Sequence, residues 1–212
     1  MASHQSRVLV VLTGIDGAGK TTAARHLAAS AQLAGLQVRL LRNYAGRRSM
    51  GTWQRRHGIA LPVRLADAVE TAIRVANVLV SHLRTAGFPG LVIMDRHLHC
   101  QLALRNVRGL HRGWLMPWLL RALPQPDAVL HLDIAPQQAL ERVQLRGTDQ
   151  ESLADLEAFD AGYRALPEYP GFTKIDAGGE PAEVLAALEL ALAGITTEAR
   201  QAPACALVRR AC

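Results

Sequence analysis

Short, β-branched apolar runs alternate along this chain with longer stretches of mixed polarity. Val8 to Leu12 is the first such run; it ends at glycines and reads as a buried strand. Thr21 to Ala34 is alanine-rich, stops at Gly35, and reads as a helix. Val38–Leu41, Leu91–Met94, Ala128–Leu132 and Thr173–Ile175 read as four further strands. Helices are predicted over about residues 135–146, 151–166 and 181–193. Leu65 to Thr85 reads as a long helix with Leu65, Val69, Ala72, Ile73, Ala76, Val80 and Leu83 on one face. Asp67, Glu70, Arg74, Asn77 and Ser81 line its opposite side, with Val75 and Val78 flanking them, a pattern that favours burial within the domain.

Strands alternating with helices predict an α/β fold: a five-stranded parallel sheet flanked by helices on both faces. Ligands of such sheets bind at the carboxyl ends of the strands, so Leu12, Met94 and Leu132 are neighbours of the expected site. Residues 1–195 read as one domain behind a polar leader, and 196–212, with little periodicity, as a flexible tail.

The glycines after the first strand carry the sharpest chemistry. Gly14, Gly19, Lys20 and Thr21 fill every fixed position of G-x-x-x-x-G-K-[ST], between a strand and a helix as the motif requires. Glycines let backbone N–H groups wrap phosphates, and the helix N-terminus adds its dipole. The segment Gly14, Asp16, Gly17, Ala18, Gly19, Lys20, Thr21 and Thr22 is thus expected to bind ATP in a P-loop NTPase fold. Lys20 would reach the β- and γ-phosphates, and Thr21 would hold Mg2+.

Composition changes this picture little. Of 212 residues half are hydrophobic but only 4% aromatic, so the core must be built from Ala, Leu and Val. The net charge of +6, mostly arginine, suits anionic ligands and is not gathered into one block. Arg47, Arg48, Arg55 and Arg56 lack the aromatic interleaving of a nucleic-acid surface, so no nucleic-acid partner is expected. Cys100, Cys205 and Cys212 make no disulfide framework and fit a reducing, cytoplasmic setting. No apolar run approaches the ~18 residues of a membrane span.

Beyond the loop, an ordered set of segments resembles the thymidylate kinase family of nucleoside monophosphate kinases. Thr13 to Thr22 is similar to its phosphate loop, and Val92-Ile93-Met94-Asp95-Arg96 to its strand ending in Asp-Arg. Pro126 to Asp133, then Ala139-Leu140-Glu141-Arg142 and Arg146-Gly147, resemble its fourth strand and the approach to its lid, about 142–155 here. Ile175-Asp176-Ala177 resembles its last strand. The resemblance implies transfer of the ATP γ-phosphoryl to a nucleoside monophosphate, thymidylate or a related, modified nucleotide, in a homodimer.

Residue by residue, the resemblance implies that Arg42 and Arg96 grip the acceptor phosphate and that Arg74, with Asn77 one turn on, reaches the acceptor base or phosphate. It implies that Asp95 helps organise magnesium and that Asp16 touches the acceptor sugar or metal-bound water. Arg142 and Arg146 share a helical face, and the resemblance implies that they stabilise the transferring phosphoryl, a task suited to bidentate guanidinium. Each also has a plainer reading: a surface arginine at Arg42, a Glu70–Arg74 helix pair, a strand-end Asp95–Arg96 bridge, a loop cap at Asp16, a solvated basic face at Arg142 and Arg146. The family's Arg-Glu-Pro-Gly segment reads Arg42-Asn43-Tyr44-Ala45 here, and its Ala-Tyr-Gln reads Ala103-Leu104-Arg105. Arg105 is therefore expected to add positive charge at the acceptor pocket. His97, His99 and Cys100 match no closed zinc pattern and read as packing residues. A kinase of a nucleoside or other small metabolite on the same fold, and a non-catalytic ATP-binding regulator, are the competing readings.

Overall fold

The structure, a computed structural model, describes residues 7–45, 62–147 and 151–201. The leader, the arginine-rich 46–61 with Arg47, Arg48, Arg55 and Arg56, residues 148–150 of the expected lid, and 202–212 lie outside the described residues. Five strands, β1 (Val8–Thr13), β2 (Val38–Arg42), β3 (Leu91–Asp95), β4 (Ala128–Asp133) and β5 (Thr173–Asp176), form one parallel sheet of order β2-β3-β1-β4-β5. Every residue of β1 and β3 is buried, as expected for central strands covered on both faces.

Helices α1 (Lys20–Leu33), α2 (Val63–Thr85), α3 (Leu98–Val107), α4 (Leu115–Ala122), α5 (Pro136–Arg146), α6 (Leu153–Arg164) and α7 (Pro181–Gln201) connect and cover the strands. Ala23, Ala24, Leu27, Ala28 and Ala31 turn one face of α1 inward, and small side chains let it lie close to the sheet. Pro136 opens α5 and Gly147, at φ 66°, closes it, matching the preference for proline at the start and left-handed glycine at the end. Ser152 and Asp155 form a reciprocal capping box on α6. The last helix runs on through Gln201, past the boundary expected at 195.

The burial expected of the long helix α2 falls on one of its faces. Its polar stripe is the buried one: Asp67, Glu70, Arg74 and Ser81 are at most 5% exposed. Leu65, Val69, Ile73, Val80 and Leu83 face outward. Charge pairing explains this orientation, because Arg105 of α3 and Arg108 just past its end face α2. Arg105 Nη2 lies 2.8 Å from Asp67, and Arg108 Nη1 lies 3.0 Å from Glu70. Burying a carboxylate is tolerable only against such a partner.

Four aromatic residues, Phe159, Tyr163, Tyr169 and Phe172, gather in one place. Tyr163, Tyr169 and Phe172 surround His131 of β4 at ring-centroid distances of 5.0, 5.2 and 6.2 Å. A second set of imidazoles, His82, His97 and His99, runs from α2 to Phe172. Burial disfavours the charged form of all four, lowering His82, His99 and His131 to about 4, and His97 well below its ordinary value. The unfolded chain, whose histidines titrate near ~6.5, therefore binds protons between that pH and about 4 that the folded chain refuses. Stability is fully present above this window and lost as pH falls through it, at up to ~1.4 kcal/mol per pH unit for each group. Melting temperature should drop steeply from pH 7 to pH 5, and His131→Phe should flatten the drop; a constant melting temperature would contradict this account.

Candidate active site

The sheet register brings the chemistry-bearing residues to one edge. Leu12 pairs with Asp95, Arg42 with Asp95, and Thr13 with His131, so the ends of β1, β2, β3 and β4 lie side by side. The phosphate loop leaves β1 there and re-enters the fold at Lys20, the first residue of α1. Gly14 has φ 136°, and a Cβ on it would stand 2.6 Å from the Leu132 carbonyl oxygen. A Cβ on Gly17 would strike the Ala139 carbonyl. Both positions need glycine so that the loop can lie against β4 and α5.

Lys20 is buried and folds back over the loop, its Nζ donating to the Ile15 carbonyl at 2.5 Å and lying 3.7 Å from Asp16. Burial, followed by the nearby Arg96 charge, lowers its pKa to about 8, against the pull of Asp16. An anion delivered to the loop would favour the charged ammonium. Thr21 Oγ1 donates to Asp95 Oδ2 at 2.7 Å, tying the start of α1 to the end of β3. Asp95 Oδ1 is buried with no hydrogen-bond partner among the described residues. A hydroxyl, a bound carboxylate oxygen and a spare one form the hard oxygen set that suits magnesium.

Arg96 is the single non-glycine residue at positive φ, 76°, among the described residues. Such a backbone costs roughly 1–3 kcal/mol and persists only where the surroundings hold it. Here its N–H donates to the Leu12 carbonyl at 3.1 Å and its carbonyl accepts from Asn43 Nδ2 at 2.8 Å. Its guanidinium donates to Asp16 at 2.5 Å. Burial opposes that charge, but the Asp16 pair outweighs it and holds the guanidinium above its ordinary value. Arg74 is buried and donates to the Asn43 carbonyl, while Asn77 donates to the Tyr44 carbonyl at 2.7 Å. Arg42 ends β2, exposed, beside Asp95. Lys20, Thr21, Asp16, Asp95, Arg96, Arg42 and Arg74 are thus drawn to the same carboxyl edge.

Comparison with known proteins agrees with this geometry. The family model for thymidylate kinase matches residues 63–188. A thymidylate kinase of Xanthomonas euvesicatoria pv. vesicatoria is 32% identical over 186 residues, covering 84% of this chain and 80% of that protein. A thymidylate kinase of Xanthomonas oryzae pv. oryzae (strain PXO99A) is 32% identical over 190 residues, covering 84% and 79%. A probable thymidylate kinase of Pyrococcus horikoshii is 33% identical over 149 residues, covering 66% and 71%. The chain belongs to the thymidylate kinase family.

Within this family member, two expected site residues are engaged elsewhere. Arg105 was expected to add charge at the acceptor pocket, but both its Nε and its Nη2 lie 2.8 Å from Asp67 Oδ2, and its Nη1 donates to the Arg112 carbonyl at 3.2 Å. Its charge is spent joining α2 to α3. The i, i+3 spacing of Asp67 and Glu70, matched by Arg105 and Arg108, was the sequence signal for this clamp. Arg142 donates to the carbonyls of Ala177, Gly178 and Gly179 at 2.8, 3.2 and 3.2 Å. It lines a cleft of about 390 Å³ beside Gly19, Thr22, His26 and Gln138, just behind the phosphate loop. Its guanidinium is committed to that wall rather than to the loop, while Arg146 stands exposed at the end of α5.

His131, Asp133 and Asp160 also converge, their ligand-type atoms within 4.8 Å of one another. Arg164 already lies between the carboxylates, 2.9 Å from Asp133 and 2.7 Å from Asp160. That guanidinium supplies the positive charge that a cation would otherwise bring. No helix among the described residues is long and apolar enough to cross a membrane.

Proposed function

We propose that this chain transfers the γ-phosphoryl group of ATP to the phosphate of a nucleoside monophosphate, thymidylate or a related nucleotide, yielding ADP and the diphosphate. The observation that carries the reading is the double tie between loop and neighbouring strand, Thr21 to Asp95 and Asp16 to Arg96. Such a tie would put a donor-phosphate cradle beside a partly buried arginine suited to a second phosphate. Gly14 to Thr22 would wrap the ATP phosphates, with Lys20 leaving the Ile15 carbonyl to reach the β- and γ-phosphates. Thr21 and Asp95 would hold magnesium, which when bound neutralises phosphate charge. The cleft walled by Arg142 and Gln138 would take the base end of ATP. Arg42, Arg74 and Arg96, with Asn77, would hold the acceptor, and Arg146 would meet the transferring group from the lid. An acceptor phosphate oxygen attacks the γ-phosphorus as its bond to the β–γ bridging oxygen breaks. Positioning and charge neutralisation then supply most of the catalysis.

Arg74 and Arg96 bring two guanidinium groups to this edge against the single carboxylate of Asp16 that pairs with Arg96, a surplus of positive charge that suits an acceptor carrying a phosphate, so the nucleotide reading ranks above the nucleoside one. ADP formation from ATP and magnesium should appear with one or more nucleoside monophosphates and vanish in Lys20→Ala. Turnover of parent nucleosides alone would contradict the acceptor assignment, and ATP binding with no turnover would favour a regulator.

The outward stripe Leu65, Val69, Ile73 and Val80 on α2 supports a homodimer joined through this helix. It would shelter apolar surface that solvent otherwise meets. Light scattering behind size exclusion should give a dimer mass for the native chain and a monomer mass for Ile73→Glu with Val80→Glu; a native monomer at tens of micromolar would refute it. The paired charges and the buried, free Cys100 agree with a cytoplasmic setting.

A further inference from the structure

Asn43 is wholly buried and uses all four of its hydrogen-bonding faces at once. Its backbone N–H donates to the Asp95 carbonyl at 3.0 Å, and its backbone carbonyl accepts from Arg74. Its side-chain Oδ1 accepts from Ser81 Oγ at 2.7 Å, and its Nδ2 donates to the Arg96 carbonyl at 2.8 Å. One residue just past β2 thus touches the end of β3, the strained turn at Arg96 and two turns of α2. The Ser81 hydroxyl donates to Asn43 rather than back to its own helix, and Thr85 one turn on bonds back to the Ser81 backbone carbonyl at 2.8 Å.

We infer that Asn43 is the positioning residue that sets Arg74 and Arg96 for the acceptor phosphate. The inference rests on the proposed reading that these two arginines bind the acceptor. Arg96 has positive φ, and its carbonyl direction decides where its side chain starts. That carbonyl accepts from Asn43 Nδ2, while the Asn43 backbone carbonyl accepts from Arg74. An amide is the fitting group because it donates to Arg96 and accepts from Ser81 in the same plane. A carboxylate, which the family segment Arg-Glu-Pro-Gly leads one to expect here, could accept from Ser81 but would set an oxygen against the Arg96 carbonyl. Loss of the Nδ2 donor therefore loosens the Arg96 turn while leaving the Thr21–Asp95 tie of the phosphate loop in place.

The test is steady-state kinetics of the full chain, with thymidine monophosphate first and then the monophosphate turned over fastest. Asn43→Asp replaces the donor with a charged oxygen, Asn43→Ala removes both side-chain bonds, and Ser81→Ala removes only the bond to Oδ1, so Asn43→Ala set against Ser81→Ala isolates the loss of the donor without added charge. Asn43→Asp and Asn43→Ala should raise the acceptor KM by about tenfold, the scale of one buried hydrogen bond. Ser81→Ala should change it by less than roughly twofold, and the KM for ATP should stay near the native value in all three. An Asn43→Asp chain with native acceptor KM overturns the inference. So does a loss in which ATP and acceptor constants move together with melting temperature, because that marks a packing residue. Arg96→Ala separates the two levels. If it leaves the acceptor KM unchanged, the reading of the site falls and the inference with it. If it raises that KM while Asn43→Asp does not, only the inference falls.

Discussion

The pairing of β1 with β3, Leu12 opposite Asp95, is the constraint on which the rest of the site depends. Side chains alternate along a strand, so a slip of one residue would turn Asp95 away from Thr21 and remove the tie between α1 and β3. With the register in place, the loop leaving β1 meets the end of β3, and the Arg96 N–H closes onto the Leu12 carbonyl. Continuous apolar runs in β1 and β3 bury both faces of both strands, and the polar contacts at their ends, Asp95 to Thr21 and the Arg96 N–H to Leu12, mark the register.

Charge is arranged around this edge in compensated pairs. Asp16 answers Arg96, Asp67 answers Arg105, and Glu70 answers Arg108. Breaking such a pair strands a buried charge and costs roughly 3–5 kcal/mol, so each one also locks an element in place. Lys20 is different in kind. Its partners are a backbone carbonyl and a distant carboxylate, and burial lowers its pKa to about 8. It is the cation best placed to gain from an arriving phosphate.

Much of this was legible in the sequence. The strands announced themselves because central parallel strands are unbroken apolar runs, and the loop because its glycine and lysine spacing has one mechanical meaning. Helices α3 and α4 were not expected: His97 to Val107 mixes histidine, cysteine and glutamine on a buried face, and α4 carries Pro117 in its first turn, where proline is tolerated. Which face of α2 turns inward was not legible, because periodicity reports amphipathicity and not direction; the partners that decide it, Arg105 and Arg108, come from α3 and the residue after it. The pairing of Arg105 was hidden for the same reason, and the one-face spacing of Arg142 with Arg146 could not reveal the carbonyls of Ala177 to Gly179. Asn43 stood out only as a departure from a family segment; its four bonds join residues up to 53 positions apart.

The central claim is that donor and acceptor phosphates share this one edge. Titration calorimetry with an adenosine and a nucleoside joined through a chain of five phosphates tests it most directly. The account predicts binding tighter than that of ATP, with Arg96→Ala returning the affinity to the level of ATP alone. Equal affinity for the joined compound and ATP, in both the native chain and Arg96→Ala, would contradict it.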